Sequence, residues 1–104
     1  MMKHEVNRIL LKYPDRAPIM VKRDTKNTPE IEQHKYLVPM DLTVGQFLYV
    51  IRKRIKLNSD TALYIFINGM LICNSAPIGA VYETYKSRTD GILHVVYSCE
   101  STLG

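Results

Sequence analysis

The chain has 104 residues, enough for one hydrophobic core and too few for two. Its 46% apolar and 23% charged residues place it among compact globular domains and exclude a disordered chain. The formal net charge of +4 is mild, and no aromatic-interleaved basic patch or known fingerprint points to nucleic acid.

The longest apolar run, Ala62 to Ile67, falls far short of the roughly 20 residues that span a bilayer. The apolar cluster near the N-terminus is broken by Arg8 and Lys12, which is not the pattern of a signal peptide. The cytoplasm is the expected location. Cys73 and Cys99 are the only cysteines, with no Cys-x-x-Cys pair and no histidine at ligand spacing, so neither a disulfide framework nor a metal site is expected. His4, His34 and His94 stand at no spacing that would activate either thiol. No catalytic residue and no cofactor are expected.

In chain order, Val6, Ile9, Leu10 and Tyr13 recur at helical spacing and predict an amphipathic helix over 3–12. Pro14 ends it, because the residue before a proline avoids the helical region. PDRAP turns the chain, and Ile19, Met20 and Val21, followed by Lys22 and Arg23, read as a first strand. DTKNTPE is a turn-rich loop. Lys35 to Met40 is a second strand, antiparallel to the first across that long loop. Pro39 lacks an N–H, which confines this strand's end to a sheet edge.

Thr43 and Gln46 have the spacing of a capping box. Behind them Val44, Phe47, Leu48, Ile51 and Ile55 form a helical stripe to about Lys56. Arg52, Lys53, Arg54 and Lys56 read as the solvated end of that helix, where cations suit the dipole. ALYIFI (62–67) is a strand, and Asn68-Gly69 before MLI signals a tight hairpin. After Pro77, the spacing of Ile78, Val81, Tyr82 and Tyr85 gives a last helix, stopped by Asp90-Gly91. Ile92 to Tyr97 is almost wholly apolar, which predicts a central strand covered on both faces.

Helix, two strands, helix, two strands, helix and strand, without repeats or linkers, describe an α+β fold. The expected architecture is a ubiquitin-like β-grasp with an added N-terminal helix. One domain is expected over 1–104, with the helix in 1–13, the grasp core in 17–98 and a flexible tail in 99–104.

Particular segments then carry a resemblance. KYPDRAP (12–18), KYLVPMDLTVGQF (35–47), IRKRI (51–55), GMLI (69–72), VYETYK (81–86), DGILHVVYS (90–98) and the final glycine follow one another in order. Together, from about residue 5 to 104, they resemble the autophagy ubiquitin-like modifiers of the light-chain and GABA-receptor-associated-protein family.

That resemblance implies conjugation through Gly104. In the family an activating enzyme adenylates the terminal glycine, a conjugating enzyme carries it as a thioester, and phosphatidylethanolamine receives it on autophagic membranes. Carboxylates are unreactive toward amines until activated, and glycine, with no Cβ, lets its backbone enter a narrow channel. The implied protein is a substrate and carrier rather than an enzyme. A cysteine protease that processes or removes the lipid is a further implied partner. The implied location is the cytoplasm, and the autophagosomal membrane after lipidation.

The resemblance also implies capture of receptor and adaptor proteins that carry short aromatic-x-x-aliphatic motifs. Such a peptide adds to the edge of the second strand. Side chains three apart on it point to opposite faces, one toward the N-terminal helix and one toward the capped helix. The matching positions for the first pocket are Ile9, Pro18, Met20, Lys35, Leu37 and Ile92. For the second they are Tyr36, Val38, Pro39, Leu42, Phe47 and Val50. Lys35 and Arg54 would meet acidic residues flanking the motif. Plain core packing also accounts for Ile9 and Phe47, since a helix stripe must be buried anyway, but not for a Lys35-Tyr36 pair on an edge. Tyr13, Asp15 and Arg16 resemble the family's YPDR turn, where the Asp15 side chain is expected to stabilise a structural corner.

Three departures qualify these expectations. The chain begins at or just before the family's second helix, so membrane tethering and the partner contacts of the first helix are not carried over. Gln33 and His34 stand where relatives often carry lysines. Ile92 replaces a common phenylalanine, which should make the first pocket roomier and shift its preference toward Trp. Two other readings of the same fold remain open: a peptide-binding adaptor that is never conjugated, and a modifier of protein lysines. The KYLVP edge and the added helix speak against the second.

Overall fold

The computed structural model describes residues 3–24 and 28–101. The elements are helix α1 (Lys3–Lys12), strands β1 (Arg16–Arg23) and β2 (Lys35–Pro39), helix α2 (Val44–Arg54), strands β3 (Thr61–Ile67) and β4 (Met70–Leu71), helix α3 (Ile78–Tyr85) and strand β5 (Leu93–Ser101). The five strands form one sheet in the order β2-β1-β5-β3-β4. β1 pairs antiparallel with β2 and parallel with β5, and β5 pairs antiparallel with β3. This is the expected β-grasp, with β5 at the centre and β2 at an edge.

One face of the sheet carries the core. Ile19 and Val21 of β1, Leu93, Val95 and Tyr97 of β5, and Leu63, Ile65 and Ile67 of β3 alternate inward. They belong to one buried cluster with Val44, Phe47, Leu48, Ile51 and Ile55 of the α2 region and Ile78, Val81 and Tyr82 of α3. The α2 stripe expected from spacing is therefore buried in full. Among the described residues, the buried apolar side chains outside this cluster are Val6, Pro18 and Ile92.

Local chemistry sets the element boundaries. Thr43 caps α2 as expected: its Oγ1 accepts from Gln46 N–H at 3.1 Å, and Gln46 Oε1 accepts from Thr43 N–H at 2.9 Å. The next two free donors of the helix start are taken by the loop before α3. Val44 N–H donates to the Ala76 carbonyl and Gly45 N–H to the Asn74 carbonyl, each at 2.9 Å. No sequence signal marked this main-chain clamp. The β3–β4 hairpin turns through Asn68 (φ 53°) and Gly69 (φ 78°), the pair of positive angles a two-residue turn of this hand requires. At the far end of α2, Arg52 donates to the Asn58 and Thr61 carbonyls at 3.1 and 2.8 Å. Part of the basic run is thus structural, not merely solvated.

Four expectations are corrected. β1 begins at Arg16, earlier than Ile19, because the proline of RAP sits where no ladder N–H to β2 is needed. β5 does not stop at Ser98: Cys99 pairs with Leu63, Glu100 with Ala62 and Ser101 with Thr61. The expected tail over 99–104 is therefore strand for its first three residues, and Thr102 to Gly104 lie outside the described residues. Glu100 and Ser101 made this segment look like a tail, but a ladder is built from backbone. β5 is central without being covered on both faces throughout, since His94 is exposed and Val96 half-buried. At the Tyr13–Arg16 corner, main-chain bonds replace the expected Asp15 side chain. Arg16 N–H donates to Tyr13 C=O at 3.1 Å, and Asp15 C=O accepts from Met40 N–H at 2.9 Å.

Helix α1 lies on the other face of the sheet and is lightly held. Val6 is its one buried residue, Ile9 and Leu10 are half-buried, and Tyr13, expected on the same stripe, is exposed. Val6 packs on Gly91, whose φ is +75° and where an added Cβ would come within 3.1 Å of Val6 Cγ1. The Gly91 carbonyl in turn accepts the Tyr82 hydroxyl at 2.6 Å. A Gly91→Ala substitution should lower stability by about 1–3 kcal/mol, from its left-handed backbone and the lost space. Chemical denaturation checks the loss, and faster amide exchange in α1 checks that the helix is what it releases.

Candidate functional site

The β2 edge has a definite hydrogen-bond phase. Val21 N–H donates to the His34 carbonyl at 2.8 Å, and Ile19 pairs with Tyr36 and Ala17 with Val38. Main-chain groups alternate sides along an antiparallel strand. His34, Tyr36 and Val38 therefore turn theirs toward β1, while Lys35 and Leu37 turn theirs to the open edge. Pro39 belongs to the outward set, so its missing N–H costs the β1 ladder nothing.

The side chains alternate as well. Along β2, Lys35 and Leu37 are exposed, Tyr36 and Pro39 are half-buried, and Val38 is buried. Lys35 and Leu37 project to the α1 side, Tyr36 and Val38 to the α2 side.

On the α1 side the structure gathers all six residues expected in the first pocket. Ile9, Pro18, Met20, Lys35, Leu37 and Ile92 line a cavity of about 390 Å³, joined by Ile19, Gln33 and Tyr36. Ile92 is buried at its floor, Pro18 is buried and Met20 half-buried. Pocket matching supplied neither the buried core residue Ile19 nor the exposed Gln33. Period-two spacing would have found Gln33, because 33, 35 and 37 share one side of the strand. Its amide Nε2 donates to the Lys35 carbonyl at 2.9 Å.

On the α2 side the expected residues separate into floor and surface. Val38 and Phe47 are members of the buried core. Tyr36 and Leu42 pack partly buried against it, Pro39 is half-buried, and Val50 remains 37% exposed. The Tyr36 and Phe47 rings meet edge to face, with centroids 5.6 Å apart and planes at 76°. What a ligand can reach here is thus Tyr36, Leu42 and Val50 over a core floor.

The rim is cationic. Lys35 and Arg54 are exposed. Burial pushes the Tyr36 phenol above its usual range, while the nearby Arg54 guanidinium pulls it back. Arg16 of β1 reaches toward the same edge, its Nη1 3.5 Å from the Leu37 carbonyl. Elsewhere, hydrogen bonds from Ser75 lower the pKa of the exposed Cys73 thiol. Cys99 is half-buried against the core. Among the described residues no group of three metal-ligating side chains converges, and no helix is long and apolar enough to cross a membrane.

A family model described as autophagy protein Atg8, ubiquitin-like, matches residues 1–104. The chain belongs to the Atg8 family. Autophagy-related protein 8 of Mycosarcoma maydis is 52% identical over 103 residues, which cover 98% of this chain and 86% of that protein. Autophagy-related protein 8d of Arabidopsis thaliana is 50% identical over 101 residues, covering 96% and 83%. The crystal structure of Trypanosoma brucei ATG8 superposes with a TM-score of 0.88 at 37% identity, covering 98% of this chain and 88% of that one. Plasmodium falciparum Atg8, solved in complex with a Plasmodium falciparum Atg3 peptide, superposes with a TM-score of 0.81 at 33% identity, covering 94% and 87%.

In this Atg8-family chain the Tyr36 hydroxyl is buried and, among the described residues, has no hydrogen-bond partner. An unmet buried hydroxyl carries an uncompensated desolvation cost. Tyr36→Phe, which keeps the ring on Phe47, should therefore leave stability unchanged or raise it by up to about 1–2 kcal/mol. Denaturant midpoints of the two proteins provide the comparison.

Proposed function

We propose that this Atg8-family protein is an autophagy modifier conjugated through Gly104 to phosphatidylethanolamine, and that it recruits receptors through the β2 edge. The observation that carries the recruitment half is the coincidence of a free strand edge with an adjoining apolar cavity and a cationic rim. A peptide strand adding to Lys35 and Leu37 gains main-chain hydrogen bonds. Its alternate side chains then fall on opposite sides of the strand. The aromatic residue of an aromatic-x-x-aliphatic motif enters the cavity of Ile9, Pro18, Met20 and Ile92. The aliphatic one rests on Tyr36, Leu42 and Val50. Lys35 and Arg54 favour acidic flanking residues, each exposed pair adding no more than about 1 kcal/mol, so the apolar contacts dominate.

Family membership supports the conjugation half. In this reading the protein is a carried substrate rather than an enzyme, and no metal or cofactor takes part. The likeness to Plasmodium falciparum Atg8 with its Atg3 peptide supports a conjugating enzyme as a partner. An activating enzyme, a delipidating cysteine protease and motif-bearing receptors complete the partner set. The protein then divides between the cytoplasm and, once lipidated, the autophagosomal membrane.

Reconstitution with matching activating and conjugating enzymes, ATP and liposomes containing phosphatidylethanolamine tests conjugation. A gel-mobility shift that disappears on deletion of Gly104 is the expected result. A thioester that never reaches lipid, with membrane recruitment unchanged in Gly104→Ala, would replace this reading with an unconjugated adaptor.

The cavity makes its own prediction. With Ile92 at its floor, the wild-type protein should bind Trp-headed peptides better than Phe- or Tyr-headed ones. Ile92→Phe should cut the Trp preference by about threefold or more. Parallel titrations of the three peptides against both proteins decide it, and identical preferences would discard Ile92 as the determinant.

A further inference from the structure

We infer that Gln33 is a built-in, displaceable cap on the peptide-binding edge: its side-chain amide occupies the main-chain carbonyl that an incoming strand must use. This inference rests on the edge reading above and adds the regulation of that same edge.

The ladder phase shows which carbonyls matter. Val21 N–H on the His34 carbonyl places His34 and Tyr36 inward, so the Lys35 and Leu37 carbonyls are the two acceptors β2 offers to an added strand. They are not equally available. The Lys35 carbonyl already receives Gln33 Nε2 at 2.9 Å, the ordinary length of an N–H to O=C bond. The Leu37 carbonyl faces Arg16 Nη1 at 3.5 Å, at the limit of a useful hydrogen bond. The edge is therefore closed at its Lys35 end and open at its Leu37 end.

Gln33 is placed to act on the cavity too. It lines the same space as Ile9, Pro18, Lys35, Leu37 and Ile92. One side chain thus holds the edge carbonyl and narrows the approach to the aromatic pocket. The cap is local, reaching only two residues along the chain, and the Gln33 residue is exposed. Removing it breaks one solvent-accessible hydrogen bond and disturbs no core contact. It differs in this from the His34 side chain next to it, whose Nδ1 lies 2.9 Å from the Val21 carbonyl inside the sheet.

Although a carbonyl has two lone pairs, an amide already bonded to this outward-facing one competes with a strand's N–H for the space beside it. The incoming strand therefore displaces the cap. Apparent affinity is the intrinsic affinity multiplied by the fraction of molecules left uncapped. With no peptide present, the same bond shields the edge from pairing with another strand, a hazard every open edge carries.

The test uses the whole chain and an acetylated Asp-Glu-Trp-Glu-Ala-Leu peptide. Gln33→Ala removes both the donor and the bulk, and Gln33→Met removes the donor while keeping similar bulk. Both variants should bind the peptide about two- to tenfold more tightly than wild type, chiefly through faster association. Tightening in Ala but not Met would show a steric wall in place of a hydrogen-bonded cap, and equal or weaker binding in both variants would overturn the proposal. A second measurement needs no peptide. In the free wild-type protein, the Gln33 side-chain amide should show a through-hydrogen-bond NMR coupling to the Lys35 carbonyl carbon, lost when peptide saturates the edge. If no form binds the peptide, the edge reading fails. The coupling in the free protein still decides the cap, which stands if it is seen and falls if it is absent.

Discussion

The β1–β2 ladder has two possible phases, and prolines admit only one. In the observed phase Pro18 stands opposite Leu37 and Pro39 opposite Arg16, both at pairs that exchange no hydrogen bonds. In the other phase each of these prolines would be asked for a ladder N–H it does not have. The choice of phase decides the rest of the site. It turns the Lys35 and Leu37 main-chain groups outward and the Tyr36 and Val38 side chains toward α2. It also sets Lys35 and Leu37 against Ile9 and Ile92 on the α1 side. A shift of one residue would exchange the two faces, placing Lys35 over the core and Val38 over the cavity.

The two faces of the sheet are stabilised unequally, and the proposed aromatic pocket lies on the weaker one. α2 and α3 bury a continuous cluster against one face, with the start of α2 clamped by its capping box and by the Asn74 and Ala76 carbonyls. α1 holds to the other face mainly through Val6 on Gly91. Ile9, one turn further along α1, is therefore a cavity wall on a lightly anchored element. The cavity proposed to admit an aromatic side chain sits where little core packing has to be disturbed. The proposed second site is built on the firm face, so only its outer side chains are within reach of a ligand.

The chain's own side chains also manage this open edge. Edge strands expose unpaired groups, and proteins blunt them with charge, proline or short length. β2 has all three: Lys35, Pro39 and only five residues. Gln33 adds a reversible device to these fixed ones. A fixed block would prevent aggregation and binding alike, whereas a single exposed hydrogen bond opposes the first more than the second, because the peptide brings pocket contacts that a stray strand lacks.

Much of this was legible in the sequence because it depends on local rules. The α1 bounds, the capping box, the Asn68-Gly69 turn, the buried stripe of α2, the central place of β5 and the edge place of β2 follow from periodicity, turn chemistry and the missing N–H of Pro39. The composition of the first pocket came from matching residues to a family. Other features needed tertiary structure because they are relations between main-chain groups or distant elements. Nothing in the residue types announces that the Asn74 and Ala76 carbonyls close the start of α2. Nothing in them shows that Cys99 to Ser101 continue a ladder with β3, or that Val6 requires a bare Gly91 85 residues away in the chain. The sequence by itself determined which segments are helix and strand and which strand must lie at an edge, because those depend on neighbours along the chain. Only the tertiary structure decided which edge carbonyls are open, which of them Gln33 holds, and which apolar residues become cavity rather than core, because those depend on register and on what lies across the sheet.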